Sequence, residues 1–178
     1  FASSNVIYET QLNVVLKMGD IFIQASADGA PSWNNPTCSS GISSVLGNFR
    51  AWSEPKPEAL WHLFGDCWNG GTIGLANVWV LCEPVWNRGV TWFGGSTWAT
   101  FAHEIGHNFG ASHSFEAGQG TTGGIMDYGD GTLNGEFQFN SQYRKDQVCA
   151  EITQQIKCEH IKPHLIECGD GVLEEGEE

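Results

Sequence analysis

The stretch HEIGHNFGASH, residues 103–113, constrains this chain more than any other part of it. Residues four apart on an α-helix lie on one face a turn apart, so His103 and His107 can aim their imidazoles at a single point. Glu104, adjacent to the first histidine, is placed to reach a water at that point and act as general base. Gly110 lets the chain leave the helix in a left-handed turn, which a residue with a Cβ resists by roughly 1–2 kcal/mol. The turn brings His113 back to the same point. Three neutral imidazoles with no cysteine nearby describe an open catalytic zinc site, because structural zinc is usually closed by four protein ligands. Zinc lowers the pKa of a bound water to about 7 and polarises a carbonyl, the two requirements of amide hydrolysis. The expected reaction is peptide-bond hydrolysis by a zinc-bound water activated by Glu104. Chance or core packing would have to explain each of the five positions separately. The isolated His62, His160 and His164 are read as surface or core residues.

The helix that carries this motif reads from Ser96, a plausible N-cap, to Gly110, with Ala99, Ala102, Ile105 and Phe109 as its buried stripe. Before it, residues 1–11 are helix-like and residues 12–24 read as a β-rich run. Residues 28–41 are a loop, and Ile42, Val45, Leu46 and Phe49 recur at helical spacing. Residues 57–66 read as a short helix ending at Gly65. Residues 71–82 read as a strand whose glycines mark close backbone approach, and Gly74, Leu75 and Ala76 are its substrate-edge candidates. After the motif comes a long glycine-rich loop, 111–138, and a last helix from about Asn140 or Ser141 to Lys157.

A chain of 178 residues with no internal period is expected to form one globular unit. Its hydrophobic content of 40%, with 12% aromatic, excludes a disordered chain. No apolar run is long enough to span a bilayer. A net charge of -13 argues against nucleic-acid or anionic-membrane partners, which require a positive field. The six cysteines, Cys38, Cys67, Cys82, Cys149, Cys158 and Cys168, contain no CxxC pair and read as disulfide formers in an oxidising compartment. A secreted or cell-surface location follows.

The motif HExxHxxGxxH, followed by Met126 in GGIMDYG, resembles that of the metzincin zinc endopeptidases. Within them the chain looks most like the reprolysin or adamalysin branch, the catalytic domains of ADAM and snake-venom metalloproteases. HEIGHNFGASH is similar to that branch's zinc helix, GGTIGLANVWVLC to its edge strand, and FNSQYRKDQVCAEITQQIKC to its final helix. The resemblance implies that His103, His107 and His113 bind zinc and that Met126 forms an apolar Met-turn floor beneath them. It implies pairing of Cys82 with Cys158; Cys38 with Cys67 is the next expectation, leaving Cys149 and Cys168 to each other or Cys168 to a partner beyond residue 178. A calcium ion away from the zinc is a further expectation, without assigned ligands.

Three features depart from the branch. Ser114 stands where an aspartate usually follows the third histidine. The family's domain begins with a strand and a helix before the point where this chain starts, so a detached N-terminal fragment is one expected partner. Tyr128 lies two residues after Met126, the spacing at which astacin-like and serralysin-like metzincins carry a tyrosine that can approach zinc. Packing or a hydrogen bond is the preferred role for Tyr128, and an auxiliary one at zinc the alternative.

The expected fold is an α/β (α+β) metzincin. It has a twisted, mostly parallel sheet with an antiparallel edge strand, a zinc-binding helix, and a smaller, mostly irregular C-terminal subdomain with a final helix. Residues 1–167 would be the catalytic domain, and 168–178 the start of a disintegrin-like or cysteine-rich module, with further C-terminal domains as partners. Substrates would be proteins or peptides, lying antiparallel to the edge strand. The rival function is an idle metzincin-fold adhesion or binding module; the intact His103, Glu104, His107 and His113 favour the enzyme.

Overall fold

The computed structural model describes residues 1–34, 37–52, 58–68, 70–155 and 158–161. Nine elements follow in order among them: α1 (Ala2–Leu12), α2 (Ile42–Ala51), β1 (Trp61–Gly65), β2 (Gly74–Ala76), β3 (Arg88–Trp92), α3 (Thr97–Asn108), β4 (Thr132–Leu133), β5 (Glu136–Phe137) and α4 (Arg144–Gln154). The principal sheet has the order β1-β3-β2, with β1 parallel and β2 antiparallel to β3. The antiparallel edge strand is therefore present, and Gly74, Leu75 and Ala76 are its three residues.

Side chains alternate across this sheet, as the pleat requires. Val90 joins Trp33, Ile42, Val45, Leu46 and Phe49 in an apolar cluster under α2. The next residue, Thr91, faces the other way and bonds His62, which packs edge-on against Phe101 of α3. On that side a second cluster joins α1, α3 and α4 through Tyr8, Phe101, Ile105, Phe109, Met126, Phe139 and Val148. Two polar ties fix α1 on α3: Ser4 Oγ donates to Trp98 O, and Tyr8 OH donates to Ala102 O at 2.8 Å.

Several sequence expectations are corrected. Residues 61–65 form a strand rather than the end of a helix; residues 53–57 lie outside the described residues. A short apolar run such as WHLF suits either state, and parallel pairing with β3 decides it. Residues 13–24 form no strand, because no described strand lies beside them. There α1 stops at Asn13 in a left-handed conformation, Val14 and Leu16 pack on the core, and Met18, Ile21 and Ile23 stay exposed. The strand expected over 71–82 ends at Ala76, beyond which the backbone turns to bond the end of α3. The 111–138 segment contains the β4–β5 hairpin, turned by Asn134 and Gly135 at φ 56° and 82°. Helix α4 begins at Arg144, after an Asn140 side chain accepts from Gln142 N–H, and its helical span ends at Gln154.

Disulfides join Cys38 to Cys67 and Cys82 to Cys158, the two expected pairings. Cys149 is exposed and outside any disulfide among the described residues, and Cys168 lies beyond them. So do His164 and the proposed module at 168–178. Among the described residues, no helix is long and apolar enough to cross a membrane.

Candidate metal centre

Helix α3 is held at both ends by contacts that orient its histidines. Ser96 occupies the N-cap position without a side-chain bond; Thr97 Oγ1 instead accepts from Gly94 N–H at 2.7 Å. At the other end Gly110 N–H bonds His107 O and Ala111 N–H bonds Gly106 O, the paired closure of a Schellman turn. Gly110 has φ +90°, and a Cβ there would also lie 3.0 Å from the Trp79 ring. The loop after β2 adds Trp79 N–H to His107 O and Val80 N–H to Asn108 O. Asn108 Nδ2 returns the tie by donating to Asn77 O and Arg88 O. Of the expected stripe, Ala102, Ile105 and Phe109 are buried and Ala99 is half-buried.

The turn after Gly110 brings His113 to the other two histidines, so one ring nitrogen from each of His103, His107 and His113 lies within 4.8 Å of the others. His103 Nδ1 is 2.6 Å from Ile125 O, and His107 Nδ1 is 2.7 Å from Ala111 O. A carbonyl can only accept, so both rings carry their proton on Nδ1 and present a bare Nε2. His107 Nε2 faces His113 Nε2 at 3.1 Å. Burial, with smaller contributions from neighbouring groups, lowers His103 to about 4 and His107 to about 3. His113 is lowered first by desolvation and then by the Arg144 charge. Neutral imidazoles with lone pairs directed at one point, each oriented through its other nitrogen in two of three cases, are the donor set that divalent zinc takes. The three histidines are positioned to bind a metal.

Glu104 is buried beside them, and burial pushes its carboxyl up to about 8. Its Oε2 has no hydrogen-bond partner among the described residues. A Cβ on Gly74 would lie 2.3 Å from Glu104 Oε1, so this carboxyl group sits directly against the glycine of β2. Together they line a cleft of about 530 Å³. Its walls are residues 71–76 and Val78 on one side, and the three histidines, Ser112 and Tyr128 on the other. Met126 is fully buried under α3, and a Cβ on Gly106 would meet its Sδ at 2.5 Å. Tyr128 is 55% exposed and packs edge-on to His113, with ring centroids 4.7 Å apart.

A family model described as metallo-peptidase family M12, of reprolysin type, matches residues 1–150. The chain belongs to that family. Among curated relatives of this M12 chain, "Disintegrin and metalloproteinase domain-containing protein B" of Aspergillus fumigatus is 27% identical, over 99% of this chain and 28% of its own length. The protein of the same description from Trichophyton verrucosum is 29% identical over 65% of this chain and 18% of its own. Human "Disintegrin and metalloproteinase domain-containing protein 9" is 37% identical over 41% of this chain and 10% of its own. The chain thus spans less than a third of the length of these relatives. A solved structure described as "Structure of a chaperone-substrate complex" superposes over 66% of this chain and 25% of its own at TM-score 0.47 and 12% identity, too weak to carry an argument.

Three residues of this M12 site were not anticipated. Asp127 accepts backbone N–H bonds from Gly120, Gly123 and Tyr128, organising the turn around Met126. An aspartate in a glycine-rich stretch is a turn signal that could have found it. Arg144 donates to His113 O, and Asn108 ties α3 to the sheet. Their partners lie 31 and 20 residues away, beyond any local pattern.

Proposed function

We propose that this chain is the catalytic domain of a zinc-dependent endopeptidase with metzincin architecture, acting on proteins or peptides outside the cell. The observation that carries it is the convergence of three imidazole nitrogens and the Glu104 carboxyl on one cleft bordered by β2. His103, His107 and His113 would hold the zinc. When bound, zinc supplies carbonyl polarisation and a more acidic water. Glu104 takes the proton from the attacking water and passes it to the leaving amine nitrogen, which breaks the peptide bond and forms the new carboxyl. Gly74, Leu75 and Ala76 offer the edge of β2 that faces away from β3, along which a substrate strand pairs through its backbone. Met126 fills the space below the ligands, and Tyr128 flanks His113 as a wall of the cleft.

Two disulfides fit an oxidising, extracellular compartment. Residues 1–167 would be the peptidase part and 168–178 would lead into a further module; the relatives' descriptions, which name a disintegrin part beside the metalloproteinase, support a larger protein. Calcium would be an additional bound ion, without assigned ligands. The test is cleavage of a denatured protein and a peptide library, with metal content recorded. Hydrolysis with about one zinc per chain, falling by at least ~10²-fold in Glu104→Ala and after chelation, is the expected result. Zinc binding without cleavage would instead favour an idle binding module.

A further inference from the structure

The three histidines are not anchored alike. His103 and His107 each fix their ring through Nδ1 and a backbone carbonyl. Among the described residues, no carbonyl or carboxylate accepts from His113 Nδ1. His113 also lies outside α3, on a chain segment whose direction no helix sets. Something else has to hold it.

The backbone on both sides of His113 is gripped by the first turn and a half of α4. Arg144, itself 4% exposed, donates from Nη2 to His113 O at 2.5 Å and forms an ion pair with Glu116. One turn along α4, Gln147 Oε1 accepts from Ser112 N–H at 2.9 Å. From the opposite side Ser114 N–H bonds Met126 O at 2.8 Å, and the His113 ring stacks on Phe115 with centroids 4.7 Å apart. A buried guanidinium in a charge-assisted bond is a stiff strut, because leaving it unpaired is costly.

We propose that Arg144 is the positioning residue for the third metal ligand: by holding the His113 carbonyl and Glu116 together, it sets the place of the His113 ring and so the affinity of the site for its metal. Groups behind metal ligands typically change metal affinity by 10–100-fold when removed. Both bonds leave the one Nη2, and lysine is an imperfect replacement because its shorter stem ends in a compact, more strongly hydrated ammonium. The far end of α4 is also tied to the loop that caps α3. Glu151 Oε1 accepts from Leu81 N–H, and Cys158, beyond the helix, is bonded to Cys82. Both parts of the ligand set therefore hang on one scaffold.

The proposal rests on His113 being a ligand, and the experiment separates the two. Zinc dissociation constants from chelator competition, and the d–d spectrum after cobalt substitution, are measured on the purified chain. The variants are Arg144→Gln, Arg144→Lys, His113→Ala and Val148→Ala. Arg144→Gln is expected to weaken zinc roughly 10–100-fold and alter the cobalt spectrum, with Arg144→Lys intermediate. Val148 is a fully buried core residue of the same helix with no tie to His113. Its truncation is expected to lower thermal stability yet leave zinc affinity within about twofold. Equal zinc affinity in wild type and Arg144→Gln, or equal weakening in Val148→Ala, overturns the proposal. Should Arg144→Gln not fold, an unchanged constant in Arg144→Lys overturns it alone. If His113→Ala does not weaken zinc, the ligand reading itself fails; if it does and Arg144→Gln does not, only the role of Arg144 fails.

Discussion

At the scale of single residues, Gly74 and Glu104 are a matched pair. A methyl group on Gly74 would fall 2.3 Å from Glu104 Oε1 and 2.7 Å from Thr100 Cγ2. The carboxyl is the free end of a flexible side chain and can swing away, whereas Thr100, stiff at χ1, has to shift with some loss of stability. The proposed general base would then be displaced, and ångström-scale misplacement costs about 10²-fold in rate. Gly74→Ala is therefore expected to cut kcat/KM by about that factor while zinc affinity, read by chelator competition, stays unchanged. Asp127 gives a pH prediction. Desolvation raises its pKa, but backbone N–H bonds from Gly123, Gly120, Tyr128 and Thr122 outweigh this and hold it below the usual carboxylate value. A folded pKa below the unfolded one adds stability above about pH 4, which is lost as pH falls through the folded value. Thermal unfolding from pH 7 to pH 3 should show Asp127→Asn less stable than wild type at neutral pH. That gap should close in acid.

At the scale of elements, the end of α3 decides whether two histidines become three. The Schellman closure needs a left-handed residue at position 110, where a Cβ would meet both that backbone penalty and the Trp79 ring. Gly110→Ala should destabilise the fold by at least about 1–2 kcal/mol and weaken metal binding, measured by denaturant unfolding and chelator competition. The Gly110 turn was legible because glycine at that spacing has one dominant physical use. The state of residues 61–65 was not legible, because their apolar pattern suits a buried helix turn as well as a buried strand. Pairing with β3, a contact between segments 27 residues apart, made the difference.

At the scale of the molecule, the site joins parts that are far apart in sequence. The three histidines come from α3 and the loop after it, the carbonyl anchor of His103 at Ile125 from the Met126 turn, and the brace on His113 from α4. Metal binding should therefore stabilise the whole fold. At a free metal concentration a thousandfold above the dissociation constant the gain is about 4 kcal/mol, seen as a higher unfolding temperature that chelation removes. The Cys82–Cys158 bond spans 76 residues and links the α3-capping loop to the chain beyond α4. Replacing both cysteines by serine should cost about 4.5 kcal/mol by the chain-entropy account, measured by denaturant unfolding.

The sequence by itself marked the three histidines that the fold positions to bind a metal. A period of four on a helix and a glycine where only glycine turns freely are local constraints, and local geometry satisfies them wherever the helix sits; the third histidine is marked by its spacing but placed by contacts from elsewhere. The sequence also marked α2, α3 and the core of β2 through periodicity and glycine spacing. Tertiary structure alone decided which apolar runs became strands, why residues 13–24 form none, and how His113 is held. Those outcomes depend on bonds such as Arg144 to His113 O or Trp79 N–H to His107 O, whose partners lie 31 and 28 residues apart. No periodicity encodes such a pairing, because its free energy exists only once both segments have been brought together.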